Sequence, residues 1–166
     1  MKTRLLITFI ISFLFGGPFL KPACALEHVQ KEGLFSINFP EGWHWVEAGQ
    51  EVGITYPDGK TIAIDIQWVP SRELSQPEIK KAIKQANDRM IKEGILAHNG
   101  TLIDNKEIKL SGVYATQLDF KTSPPNPIHV TYFSFFNKGY AFTVTFGGQD
   151  EKMDSLMEDT VMTIKF

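Results

Sequence analysis

From residue 34 the chain alternates with a period of two. Phe35, Ile37 and Phe39 share one side, Leu34, Ser36 and Asn38 the other, and Pro40-Glu41-Gly42 follows. The pattern predicts a half-buried strand closed by a turn. Trp43-His44-Trp45-Val46 resumes an extended pattern. Residues 52–56 then run into Pro57-Asp58-Gly59-Lys60, whose Asp-Gly pair suits a hairpin reversal. The second arm is the cleanest strand in the chain, with Ile62, Ile64, Ile66 and Trp68 opposed to Thr61, Ala63, Asp65 and Gln67, and Pro70 ends it.

The period then lengthens. Ser75-Gln76-Pro77-Glu78 has the form of a capping box, in which the Ser75 hydroxyl and the Glu78 carboxylate each satisfy an orphaned backbone N–H. Ile79, Ala82, Ile83, Ala86 and Met90 recur at helical spacing, with Lys80, Lys81, Lys84, Asp88 and Lys92 toward water and Gly94 as the expected stop. Strands are expected over residues 101–110 and 113–120 around a Ser111-Gly112 turn. The three prolines of Thr122-Ser123-Pro124-Pro125-Asn126-Pro127 predict an exposed loop.

Residues 128–137 are apolar or aromatic on both alternating faces, so this strand needs cover on both sides. Asn137-Lys138-Gly139 turns the chain into Tyr140, Phe142, Val144 and Phe146, the core side of a second hairpin. Asp150 is placed to cap a last helix whose Met153, Leu156, Met157, Thr160, Val161 and Ile164 form a stripe. Strands, a helix, more strands and a closing helix predict one α+β domain over residues 26–166, a mainly antiparallel sheet covered by helices.

The segment Phe35-Ser36-Ile37-Asn38-Phe39-Pro40-Glu41-Gly42-Trp43 resembles the opening strand and turn of PsbP-like and DcrB-like domains. The aromatic strands at 132–136 and 140–146 and a helix finishing in Met162-Thr163-Ile164-Lys165-Phe166 are similar to that family's final hairpin and closing helix. The resemblance implies an α/β/α sandwich in exported or lumenal proteins that mostly act as non-enzymatic binding or assembly factors. It carries over no catalytic residue, no cofactor and no photosystem role.

What precedes residue 26 changes the picture most. Lys2 and Arg4 lead into apolar residues 5–20, and Pro22-Ala23-Cys24-Ala25 puts Ala23 and Ala25 at the two positions a signal peptidase recognises. The apolar run holds 16 residues and ends at Gly16-Gly17-Pro18, short of the roughly 20 that a membrane span needs. Cys24 after Ala23 suggests a lipidated cysteine, but Lys21 and Pro22 stand where a lipoprotein signal has Leu and a small residue. The expectation is a periplasmic or otherwise extracytoplasmic protein with no span after cleavage.

The removed segment takes three basic residues and the one cysteine, leaving 14 basic against 19 acidic residues, a net of −5. The mature domain therefore has no disulfide to lean on, and its charge excludes a nucleic-acid partner.

No motif dictates a reaction. His28, His44, His98 and His129 lack metal-ligand spacing, there is no Gly-x-Ser-x-Gly elbow, and Gly147-Gly148 are expected to turn the chain because Asp150 would repel a phosphate. Neither a metal nor a cofactor is expected. The charges of both helices, basic in the first and acidic in the last, are assigned to solvated faces.

Trp43 and Trp45 fall on one side of their strand. Trp43 is expected in the core, and Trp45 either there or beside the Pro-rich loop, where Trp45, Pro124 and Pro125 would form a partner surface. The expected function is non-enzymatic binding or assembly in the envelope, with partner and oligomeric state open. The alternative is a hydrolase whose site is assembled from distant residues. Mass spectrometry of the mature protein is expected to find a chain starting at Leu26 with no lipid, and an acylated N-terminus at Cys24 would contradict it.

Overall fold

The computed structural model describes residues 26–58, 62–125, 127–148 and 151–166. The leader with Ala23, Cys24 and Ala25, the hairpin tip at 59–61, Asn126 and the cap at Asp150 lie outside them. The chain runs β1 (Leu26–Val29), β2 (Ser36–Phe39), β3 (His44–Ala48), β4 (Glu51–Thr55), β5 (Ile62–Pro70), α1 (Gln76–Arg89), β6 (Thr101–Leu110), β7 (Val113–Lys121), β8 (His129–Asn137), β9 (Tyr140–Gly148) and α2 (Glu151–Val161).

Seven strands form an antiparallel sheet in the order β3-β4-β5-β9-β8-β7-β6. Two hairpins set its register. Ser111 and Gly112, and again Lys138 and Gly139, take successive positive φ values, the geometry that matches a two-residue turn to strand twist.

One face buries Ile64, Ile66, Trp68, Phe133, Phe135, Phe142 and Val144. α2 packs there through Met157 and Val161. The opposite face is covered over β7 and β8 by α1, whose Ile83 is buried and whose Asn87 amide donates to Thr116 Oγ1 at 2.8 Å and accepts from Ser134 Oγ at 3.3 Å. β8 therefore has cover on both sides, as its double apolar pattern demands. The domain is α+β but dominated by its sheet.

Several expectations are corrected. Phe35, Ile37 and Phe39 are buried, but their strand is not part of the large sheet: β2 pairs with β1 in a separate two-stranded ribbon, Leu26 opposite Phe39 and Val29 opposite Ser36. Alternation reports a buried face, not a partner strand.

Ile62 is 54% exposed because the β4–β5 register shifts between Ile54 and Thr55, and a one-residue shift sends a side chain to the other face. Ala86 is exposed, and Asn87 takes the buried place on α1. The helix does not stop at Gly94. It continues as a π-helical turn (Met90–Ile95) and a 3-10 turn (Leu96–His98) that bury Ile95, and Asn99 closes it at φ 57°.

α2 ends at Val161, before the expected stop. The remaining tail is extended: Ser36 and Lys165 exchange two backbone hydrogen bonds of 2.9 Å, and Thr163 Oγ1 accepts from Asn38 N at 2.9 Å. The tail thereby clips the ribbon to the helix.

Local electrostatics behave as the capping box predicts. Glu78 Oε2 accepts from Ser75 N at 2.9 Å and Ser75 Oγ at 2.7 Å, and Arg72 sits 2.8 Å from Oε1. These donors, Ser75 first, hold the Glu78 carboxyl down to about 2. The charges of α1 stand in water as expected, with exposed i,i+4 pairs Lys84–Asp88 and Arg89–Glu93 whose attraction solvent largely screens.

Gly147 and Gly148 lie in β9, where no turn occurs. A Cβ on Gly147 would stand 2.3 Å from the His129 carbonyl oxygen and 3.0 Å from Val130 Cα, so β8 and β9 approach each other through this residue. Gly147→Ala is expected to destabilise the domain by about 2–3 kcal/mol by forcing a backbone shift, measured as a lower urea midpoint at unchanged m-value. A midpoint equal to that of the parent would contradict the close approach.

Candidate functional site

Along the core face of the sheet the side chains change character at one end. On β7 the inward positions read Ala115, Gln117, Asp119, and on β8 they read Phe135, Phe133, Thr131, His129. The register sets Asp119 directly opposite Thr131 and Lys121 opposite His129. α2 changes in step. Met157 and Val161 cover the aromatic part, whereas Asp154, Ser155 and Glu158 face the polar part. Between them is a cleft of about 800 Å³, walled by Phe146 and by Pro125 and Pro127 of the β7–β8 loop.

The floor is a buried polar network. Gln117, Asp119 and Thr131 are each under a tenth exposed. Thr131 Oγ1 donates to Asp119 Oδ1 at 2.7 Å, Gln117 Nε2 donates to Oδ2 at 3.0 Å, and Lys106 Nζ stands 3.9 Å from Oδ2. The network satisfies both oxygens of a carboxylate taken largely out of water, the condition for such burial.

On the wall, His129 Nδ1 and Asp154 Oδ2 are 3.1 Å apart. Asp154 Oδ1 is buried and has no hydrogen-bond partner among the described residues. Asp154 therefore departs from the expectation of a solvated acidic face on α2, because it packs against His129 of β8 and is largely withdrawn from water. No three acidic, His or Cys side chains among the described residues are grouped to hold a metal, and no described helix is long and apolar enough to cross a membrane.

The residues expected to form one partner surface are separated. Pro125 lines the cleft. Trp45 lies on β3, four strand spacings from β8 in the sheet order, roughly 19 Å across the sheet. Its ring stacks with His28 at 5.7 Å and Phe39 at 6.2 Å, and its indole N–H points to Glu47 Oε2 at 3.4 Å. Trp45 is half-buried and roofs the ribbon, so it does not reach the Pro-rich loop. Trp43 is buried, as expected.

The chain superimposes on solved structures over most of its length. The solution structure of cyanobacterial PsbP, CyanoP, from Synechocystis aligns with a TM-score of 0.62 at 12% identity, covering 92% of this chain and 98% of that one. The fold is PsbP-like. A Bacteroides thetaiotaomicron protein aligns with a TM-score of 0.61 at 12% identity over 85% of this chain but 48% of its own, so this chain spans about half of that protein. The Saccharomyces cerevisiae Ran-binding protein Mog1p aligns with a TM-score of 0.52 at 9% identity, over 85% of this chain and 94% of its own. No protein-family model matches the chain, and no curated protein sequence does either. At these identities the PsbP-like likeness is one of fold.

Sequence reasoning missed Gln117, Asp119, Thr131 and Asp154. The first three carried a signal, since they share strand parity with Ala115, Phe133 and Phe135 and are polar where a core face should be apolar. Thr131→Val keeps the shape and removes the donor, and is expected to cost about 1–3 kcal/mol because Asp119 Oδ1 loses its shortest bond. Thr131→Ser, which keeps the hydroxyl, is expected to cost less. Equal urea midpoints for the two variants would show that the hydrogen bond contributes nothing.

Proposed function

We propose that this chain is an exported binding or assembly domain that holds its ligand or partner in the cleft between α2 and β6–β8 and releases it chemically unchanged. The observation that carries the reading is the cleft floor: a fully bonded polar patch built into a face that is otherwise hydrophobic core, walled by rigid prolines and an aromatic ring. Concave sites with an apolar wall and a few convergent polar groups are the usual form of a binding site. The floor's own hydroxyl, on Thr131, is committed to Asp119, which favours binding over nucleophilic attack. Among structures of this fold, Mog1p is described as Ran-binding, so the architecture has a precedent for protein recognition. Export rests on the charged start, apolar run and Ala23–Ala25 positions of the leader.

A second reading, a hydrolase with a site built from distant residues, draws on one observation. The contact between His129 Nδ1 and Asp154 Oδ2 is the pairing that orients an imidazole as a base. One experiment separates the two. Immobilised residues 26–166 are exposed to an envelope fraction, and retained species are identified and weighed before and after incubation. Capture by the parent, its loss in a folded Asp154→Asn variant and an unchanged mass are expected. A species converted to product in a His129-dependent manner would establish the hydrolase instead, and capture lost in Trp45→Ala but kept in Asp154→Asn would move the surface to the ribbon.

A further inference from the structure

The cleft carries four carboxylates, on Asp104, Asp119, Asp154 and Glu158, against two lysines, Lys106 and Lys121. Two of the four are withdrawn from water. Asp119 is 8% exposed, and Lys106 approaches it no closer than 3.9 Å while its nearer donors, Thr131 and Gln117, are neutral. The Asp154 side chain is 13% exposed, with Oδ2 turned to His129 and Oδ1 buried without a donor among the described residues. Buried carboxylates are ordinarily paired, and an oxygen left without a donor forfeits its full desolvation. The cleft therefore carries more negative than positive charge, and Asp154 Oδ1 is its oxygen without a hydrogen-bond donor among the described residues.

A metal ion answers this poorly, because no three acidic, His or Cys side chains among the described residues converge on one point. The walls are also wrong for an ion with its water shell: Phe146, Pro125 and Pro127 offer apolar surface. An organic cation on an apolar stem satisfies both halves of the site, because its N–H groups supply donors to carboxylates and its methylenes lie against rings.

Resting on the binding role proposed above, the geometry points to a ligand that directs an ammonium or guanidinium group to Asp119 and Asp154 and lays its stem along Phe146 and the prolines. This chemistry has two sources, a basic side chain of a protein partner or a free polyamine.

Heteronuclear NMR of nitrogen-labelled residues 26–166 at low salt tests it with four probes. These are spermidine, an acetylated and amidated Leu-Arg-Leu peptide, its norleucine analogue and its glutamate analogue. A cationic probe is expected to shift the amides of Asp119, Thr131 and His129 with saturation. The Asp154→Asn variant should weaken that binding about ten-fold or more, and Lys81→Asn on the far face should leave it unchanged. Saturation by the arginine peptide alone assigns the site to a protein segment, and saturation by spermidine alone assigns it to a small amine.

The inference is overturned if neither cationic probe moves these amides up to roughly 10 mM, or if Asp154→Asn binds as tightly as the parent. Equal binding of the norleucine or glutamate peptide also overturns the cation while leaving the cleft a binding site. The capture experiment above judges the binding role separately.

Discussion

Burial of one aromatic seam between the large sheet and its cover is the interaction on which the rest of this domain depends. Phe135 stacks on Phe142 at 5.0 Å, Phe35 of the ribbon meets Phe142 and Trp68 edge-on at 6.1 and 5.7 Å, and Phe166 of the tail closes on Phe135 at 5.3 Å. Each ring removed from water is worth roughly 1.5–3 kcal/mol. The mature chain, cut after Ala25, would have no cysteine, so nothing covalent supplements that burial. The seam also explains why ribbon, helix and tail form one unit. The ribbon contributes Phe35, Ile37 and Phe39, α2 contributes Met157 and Val161, and the tail contributes Ile164. The paired backbone bonds between Ser36 and Lys165 hold these three covers in register.

The cleft exists because the seam stops short of the sheet's end. Gln117 already stands opposite Phe133, and one step further along the strands Asp119 and Thr131 lie level with Phe146, while α2 turns polar at Asp154, Ser155 and Glu158, so neither wall can close on the other hydrophobically. A carboxylate in that position must be compensated by hydrogen bonds or charge, and neutral donors do most of this for Asp119. A polar floor of this kind stabilises less than an apolar one of equal volume. Its occurrence beside a well-packed core is therefore better understood as a cost met for recognition than as a device for stability.

How much of this was legible in the sequence depends on what period carries. The hairpins around Ser111-Gly112 and Lys138-Gly139 and the double burial of β8 follow from turn chemistry and alternation, and all three are in the fold. Capping of α1 by Ser75 and Glu78 was equally plain, because the donors and acceptors lie three residues apart. The partnership of β2 with β1 was hidden, since Leu26, Glu27, His28 and Val29 are mostly exposed and show no alternation of their own. Ile62 and Gly94 misled for a related reason: a register shift and the burial of Ile95 are tertiary facts that override local pattern. The site was half legible. Asp119 and Thr131 betray themselves by parity, but Asp154 comes from a helix whose approach to β8 no spacing encodes.

The separation of Trp45 from the Pro-rich loop bears on how the two ends of the molecule divide their work. At the β3 end the aromatic side chains are satisfied by one another: Trp45 is sandwiched with His28 and Phe39, and its N–H and the neighbouring Gln30 amide both go to Glu47. Such a platform stabilises the ribbon and leaves little unmet demand. At the cleft end Asp154 Oδ1 has no donor among the described residues, and the lining carboxylates outnumber the lining lysines. Recognition energy comes from groups that a partner can satisfy better than the free protein does. By that criterion the end floored by Asp119 is one place where this fold retains unsatisfied bonding capacity, as it does at Thr55 Oγ1, Asp65 Oδ1 and Asn137 Nδ2 among the described residues, and Asp154 is the one of these residues that lines the cleft between α2 and β8.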